Sequence, residues 1–290
     1  MRTGKSRVES VLIAAVLAFA AALCLLPIVH EIALSLSSNE AVVAREVGLL
    51  PVEPTLESYR QIMRDGTVMR ALGFSVYLTV LFTGIAMLLT TICAYPLTRP
   101  ELRGRRGIMT FIVITMYFSG GILPLYILIK TLGMLNTEWS LILPLAVSPF
   151  NLIIMRTSLS TLPDALTESA LIDGASYFQI LRKIIVPLSL PIIATLSLFY
   201  AVGRWNTFQD AVFYITKQAL WTIQLKLSYI VLNNTQPEVF IAEGAESRLS
   251  IVPAALNAAT VMIATLPILV AYPWLQRYFI KGAMIGSVKE

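Results

Sequence analysis

Apolar residues in this chain gather into six long blocks separated by polar stretches. The blocks run approximately Val11–Leu36, Ala71–Leu97, Ile108–Ile129, Trp139–Met155, Leu188–Phe208 and Pro253–Ile280. Each approaches or exceeds the ~20 apolar residues that carry a helix across a bilayer. Barrel strands would instead alternate over segments of about ten residues. A segment in lipid must also satisfy its own backbone, which favours helices. The pattern therefore predicts an all-α membrane protein with six transmembrane helices. One stretch alternates with period two: Trp221, Ile223, Leu225, Leu227, Tyr229 and Val231, inside the long polar segment 209–252. It fits a strand or an irregular surface helix equally well.

Composition agrees with lipid as the solvent. Of 290 residues, 57% are hydrophobic and 13% charged, against about 25% charged in soluble domains, and mean hydropathy is +0.75. The net charge of +5 raises nucleic acid as a partner, but the placement of the charges argues for topology instead. With the N-terminus inside, the short inner segments collect Arg99, Arg103, Arg105, Arg106, Arg156, Arg182 and Lys183, among thirteen inner Lys and Arg against eight outer ones. The outer segments 37–70 and 209–252 are longer and hold Glu40, Glu46, Glu53, Glu57 and Asp65. This bias predicts two cytoplasmic termini. The basic start Arg2, Lys5, Arg7 followed by an apolar run resembles a signal peptide, but the run outlasts an h-region of about 7–15 residues and reads as a retained first span. Cys24 and Cys93 both fall in apolar runs and have no partner at metal-ligand spacing.

The polar loop Thr161–Pro187 is patterned enough to fold. Pro163 suits the first turn of a helix, and Asp164 and Glu168 bring negative charge to its positive end. Gly174 ends or bends that helix. Ser176-x-x-Gln179 is a capping box that starts a second one, with Ile180, Ile184 and Ile185 on one side and Arg182 and Lys183 elsewhere. On these grounds the loop reads either as a rigid protrusion for another protein to push on, or as an amphipathic connector on the inner leaflet.

Its residues decide between the two by resemblance. Glu168-Ser169-Ala170-x-x-x-Gly174, nine residues, then Ile184-x-Val186-Pro187 resembles the E-A-A, three residues, G, nine residues, I-x-L-P signature of ABC-importer permeases. Ser169 replaces an alanine and Val186 a leucine; charge, turn and helix stop remain. The resemblance spans nearly the whole chain, most clearly from about residue 70, and implies one permease domain over 1–290 with its core at 70–283. It implies the type I permease fold, with 161–187 as a cytoplasmic coupling helix loop that docks in a groove of an ATP-binding cassette ATPase dimer. ATP and Mg would be bound by that partner, with no cofactor in this chain. Glu168, Ser169, Ala170, Gly174 and Pro187 are the implied coupling residues, with Glu168 meeting the groove, Ala170 permitting close contact and Gly174 giving the turn. The tail 282–290 would also reach the ATPase. A second, homologous permease subunit and a solute-binding protein at the outer face complete the implied assembly, and the resemblance implies a bacterial inner (cytoplasmic) membrane location.

The stretches Met116–Gly121, Asn151–Arg156, Tyr200–Asn206, Tyr272–Phe279 and Gly282–Lys289 resemble carbohydrate-importer permeases, among them a subgroup for oligosaccharides that includes uronate-rich ones such as alginate fragments. A sugar path needs polar groups beside aromatic faces. Tyr117, Ser119, Asn151, Tyr200, Trp205 and Asn206 offer these, and each fits helix–helix contact equally. Arg204 is a full charge near the outer end of the fifth span. It either meets an anionic sugar or snorkels to the interface. His30 and Glu31 sit late in the first span, at interface depth. Gly120-Gly121 permits close packing or a kink.

Other classes fit less well. Gly4-Lys5-Ser6 mimics the end of a P-loop without its earlier glycine or strand. A single histidine and no triad or metal-ligand cluster at depth argue against an intramembrane enzyme. A secondary transporter needs buried ion-coupling groups or repeated halves, and neither is evident. An ABC permease for a peptide or small ion is disfavoured by the stretches around Trp205-Asn206 and the C-terminus.

Overall fold

The computed structural model describes residues 7–118, 120–235 and 254–287, with side chains described over 9–118, 120–230 and 254–270. Every element among them is helical. In chain order they are α1 (Arg7–Ser35), α2 (Asn39–Val43), α3 (Glu57–Asp65), α4 (Thr67–Ala94), α5 (Arg105–Tyr117), α6 (Ile122–Thr131), α7 (Trp139–Ile142), α8 (Pro149–Leu159), α9 (Ala165–Ile172), α10 (Tyr177–Ile180), α11 (Val186–Leu188), α12 (Leu190–Asn206), α13 (Gln209–Tyr214), α14 (Ile223–Thr235) and α15 (Ala254–Ser287). Short 3-10 turns occupy Pro96–Thr98, Leu143–Leu145 and Gln218–Leu220, and a π-helical turn occupies Leu181–Ile185.

Among the described residues, two helices are long and apolar enough to cross a membrane: Glu9–Ser35 within α1, and Thr67–Thr98, which joins α4 to the turn after it. Three bent pairs bring the number of crossings to five when each pair counts once. The reasons for the breaks are local. Between α5 and α6 the backbone of Gly121 takes φ +85°, a region closed to most side chains, so the third predicted span is kinked where Gly120-Gly121 allowed it. α7 and α8 meet at 52°, where Pro144 and Pro149 interrupt the helical ladder. Helix Tyr177–Leu188 meets Leu190–Asn206 at 83°, beside Pro187 and Pro191. The π turn ends two residues before Pro187, which lacks the N–H that would continue an α ladder. α15 carries a shorter apolar stretch, Ala254–Val270, whose Ala255, Ala258 and Ala259 are buried, as small residues are where helices approach closely. The alternating stretch from Trp221 is helical, as α14, rather than a strand.

The chain divides into two compact units, Met1–Arg70 with Lys226–Pro267, and Ala71–Leu225 with Ile268–Glu290. In the first, the chain after α1 folds back on the end of that helix. Ser37 Oγ donates to Ala33 O and accepts from Val52 N at 3.0 Å, Thr55 N donates to Leu36 O at 2.8 Å, and Ala33, Ala41 and Val47 form a small core. His30 Nδ1 lies 2.7 Å from the Gly48 carbonyl oxygen, which gives this histidine a structural partner.

In the second unit α4 buries Leu78, Phe82 and Ala86, four residues apart on one face. Tyr200 of α12 is the knot of this unit. Its hydroxyl lies 2.6 Å from Thr90 Oγ1, accepts from Ser148 N at 3.0 Å, and its ring meets Phe82 edge-on at 5.9 Å. α4, α8 and α12 are thereby tied at one point. Ser148 also caps α8 by accepting from Asn151 N.

Candidate functional site

α9 and α10 form the helix–turn–helix that the loop pattern predicts. α9 begins after Asp164 and ends at Asp173. Gly174 follows at φ +79°, the left-handed geometry that a helix C-terminus favours and a Cβ disfavours. The Ala175 amide then closes on the Ala170 carbonyl at 2.9 Å. The capping box is complete: Ser176 N donates to Gln179 Oε1 at 2.8 Å, and Gln179 N donates to Ser176 Oγ at 3.4 Å. Replacing Ser176 with Ala removes one of these bonds and costs about 1 kcal/mol. It is expected to speed amide exchange over Tyr177–Ile180 without changing it in α12. A Cβ added at Gly174 would meet nothing within 4 Å, so the penalty for Gly174→Ala is backbone strain alone, about 1–2 kcal/mol. Faster exchange confined to residues 165–180 is the expected readout.

Two faces of this element differ in chemistry. Thr167, Ala170, Ile180, Leu181 and Ile185 are buried, so the element packs firmly on the body of the unit. Ala170 thus turns its small side chain inward, where it allows close approach, while Glu168 and Ser169 are exposed. The same element also exposes Leu171, Ile172, Tyr177 and Phe178, with Ile172 87% and Phe178 67% exposed. Apolar side chains left this exposed on a doubly capped element form a surface suited to another protein. The sequence pattern does not single out these four. A hint is available in the apolar Leu171-Ile172 pair at the end of α9, just before the glycine.

The element is also joined to more than its two flanking helices. Arg99 lies with Nη1 3.8 Å from Asp164 Oδ1, at the start of α9, and its guanidinium sits 4.8 Å over the Tyr95 ring. Arg156, at the end of α8, donates from Nε to the Leu97 carbonyl at 3.1 Å. The end of α4, the end of α8 and the start of α9 therefore meet around the turn Pro96–Thr98. Pro187 is exposed and marks the passage from the π turn into α11.

The predicted sugar-path residues separate into two groups. Tyr117 is exposed, and so is Asn206, whose Nδ2 donates to Val202 O at 2.9 Å. Asn151, Tyr200 and Trp205 are buried in the second unit, Tyr200 as its knot. Ser119 lies outside the described residues. Arg204 takes neither arrangement expected of it. Its side chain is 1% exposed, with Nη2 donating to Asp210 Oδ1 at 3.0 Å, Nη1 to Asp210 Oδ2, and Nη1 to Leu141 O at 2.9 Å. A guanidinium removed from water requires such a fork of acceptors. The pair ties α12 to α7 and α13. Next to it Asn136, at φ +58°, accepts at Oδ1 from Thr216 N, Thr216 Oγ1 and Lys217 N, which fixes the segment after α13. Trp274, Tyr278 and the tail from Gly282 lie outside the described side chains.

Comparison with known proteins gives the arrangement a context. The family described as "Binding-protein-dependent transport system inner membrane component" matches residues 86–284. The polygalacturonan/rhamnogalacturonan transport system permease protein YtcP of Bacillus subtilis (strain 168) is 41% identical over 286 residues, 98% of this chain and 99% of that protein. Protein LplC of the same organism is 39% identical over 270 residues, 92% of this chain and 90% of its own length. Among solved structures, a chain of a bacterial ABC transporter involved in the import of the acidic polysaccharide alginate aligns with a TM-score of 0.85 and 26% identity, covering 96% of this chain and 99% of that one.

Proposed function

The chain belongs to the binding-protein-dependent transport system inner membrane components, with the all-helical type I fold of ABC-importer permeases, and on that premise we propose that it carries an acidic oligosaccharide inward through a six-helix permease coupled to its ATPase at α9–α10. It is the permease of such an importer and not its ATPase. The observation that carries the coupling assignment is the capped, glycine-turned element that exposes Glu168, Leu171, Ile172 and Phe178.

The six helices are α1, α4 with its 3-10 end, the three bent pairs and α15. Both termini and the coupling element face the cytoplasm, in line with the excess of Lys and Arg on that side. A second homologous permease lies against this one, and two ATPase subunits sit beneath, holding ATP and Mg. A solute-binding protein delivers the sugar to the outer face. ATP-driven closure of the ATPase pair moves α9–α10. Because Arg99 joins the start of α9 to the turn after α4, and Arg156 joins that turn to the end of α8, the motion reaches α4 and α8 together with α12. Tyr117 and Asn206 are the contact residues for sugar hydroxyls in this reading, with Ser119 beside them in sequence. Arg204 holds the outer end of α12 in shape.

The acidic cargo follows from the substrates named for YtcP and for the alginate transporter. Both are uronate-containing polymers. Reconstituting the full complex with its binding protein in liposomes, and comparing uronate with neutral oligosaccharides for stimulation of ATP hydrolysis, tests it. Stimulation by the uronate class is expected. Stimulation by neutral sugars alone removes the acidic cargo and leaves the importer.

A further inference from the structure

A second patch of chemistry lies far along the chain from the coupling element, on α3. Leu56, Tyr59 and Met63 share one side of that helix, with Leu56 61% and Met63 69% exposed. Arg60 and Arg64, one turn apart, stand beside them. These five residues line a shallow, open groove of about 430 Å³ along one face of the helix. The opposite side of the helix is sealed by Ile62, which is 2% exposed.

Two bonds set the level of this groove. The Tyr59 hydroxyl donates to Ser35 Oγ at 2.9 Å, and Ser35 is the last residue of α1. At the other end, Gly66 at φ +69° closes α3, and α4 begins at the next residue. Among the described residues, α1 and α4 hold the two unbroken helices long and apolar enough to cross a membrane. The groove therefore lies on the short segment between the end of one candidate span and the start of the next, where a chain entering a bilayer passes the lipid headgroups.

Its charges suit an anion at that height. Arg64 has no ion-pair partner among the described residues. Arg60 pairs with Glu57 at 2.9 Å, but both side chains are more than half exposed, and such pairs exchange readily. Asp65 is turned to the Thr67 hydroxyl. We propose that this groove seats an anionic phospholipid of the surrounding bilayer. Its phosphate bridges the guanidinium groups of Arg60 and Arg64, and the upper acyl chain lies on Leu56, Met63 and the arginine stems. Tyr59 sits at the interface, where amphipathic rings are at home. A sugar fits less well, because the floor is apolar and the one hydroxyl already donates to Ser35.

The inference needs only that α1 and α4 span the bilayer, and stands apart from the cargo. The purified complex is equilibrated with micelles holding equal amounts of phosphatidylglycerol and phosphatidylcholine, re-isolated, and its retained lipid measured by mass spectrometry. The native complex is expected to retain phosphatidylglycerol in preference. Arg64→Gln, at an exposed and unpaired site, should lower that preference about fivefold, and Arg60→Gln with Arg64→Gln should abolish it. Leu56→Ser with Met63→Ser should lower retention of both lipids. Unchanged preference in Arg64→Gln and in the double arginine variant overturns the proposal. So does displacement of the lipid by inorganic phosphate alone, which marks a bare anion site. Loss of solute-binding-protein capture with lipid retention intact also overturns it and assigns the groove to that protein.

Discussion

Glu168→Lys is expected to leave the chain folded and the complex assembled, and to lower ATP-driven uptake at least tenfold. The fold tolerates it because the carboxylate is exposed and makes no ion pair among the described residues. Its local role is to sit in the first turn of α9, where reversing the charge costs about 0.3–1 kcal/mol against the helix dipole. That is small beside the packing of Thr167, Ala170, Ile180 and Ile185 beneath it. At the proposed docking face the effect is larger. A charge matched to its partner and then reversed loses about 2–5 kcal/mol, and each ~1.4 kcal/mol is a factor of ten. Glu168→Gln, which removes the charge without reversing it, should fall between. The check is paired: size-exclusion of the complex for assembly, and sugar uptake in proteoliposomes for coupling. Normal uptake in Glu168→Lys would place the coupling contact elsewhere.

Arg204→Leu is expected to do the opposite, damaging assembly before transport is reached. It strands Asp210, whose side chain is 12% exposed, with its carboxylate unpaired. Breaking a buried pair on one side costs about 3–5 kcal/mol, a large share of the ~5–15 kcal/mol that holds a domain together. Asp210→Leu leaves the guanidinium stranded with only carbonyl partners and should cost a similar amount. The double variant Arg204→Leu with Asp210→Leu removes both charges and should recover much of the loss, because an apolar pair needs no solvation. Thermal unfolding of the purified complex, followed for the three variants, separates this account from a sugar-contact role. A substrate-binding arginine would leave stability unchanged in Arg204→Leu and lower uptake in the single and double variants alike.

What the sequence made legible follows the range over which each signal acts. The capping box at Ser176 and the turn at Gly174 are local, each fixed within about four residues, and both stand in the structure where the spacing put them. The kink at Gly121 and the breaks around Pro149 and Pro187 are local in the same way, though apolar block length alone reads the third and fourth spans as unbroken. α14 is ambiguous in sequence because nearly all its described side chains are at least partly buried. A helix covered on most sides has no need of a polar stripe, so the usual period is lost. Arg204 misleads for a different reason. Asp210 is six residues on, past the end of α12 at Asn206, outside the i+3 and i+4 spacing at which helical partners are sought. Leu141, its other acceptor, is 63 residues away, a contact that only the tertiary fold creates. The apolar tip of Ile172 and Phe178 is hidden by a similar ambiguity, since exposure of an apolar residue on a short helix is set by what the rest of the chain covers.

The most direct test of the account is uptake of a uronate oligosaccharide into proteoliposomes containing the full complex and its binding protein, with ATP or ADP enclosed on the ATPase side. Accumulation with ATP, its absence with ADP, and its loss in Glu168→Lys with the complex intact are the predicted results. Equal uptake with ATP and ADP would contradict the central claim, because transport would then proceed without the force that α9–α10 is built to transmit.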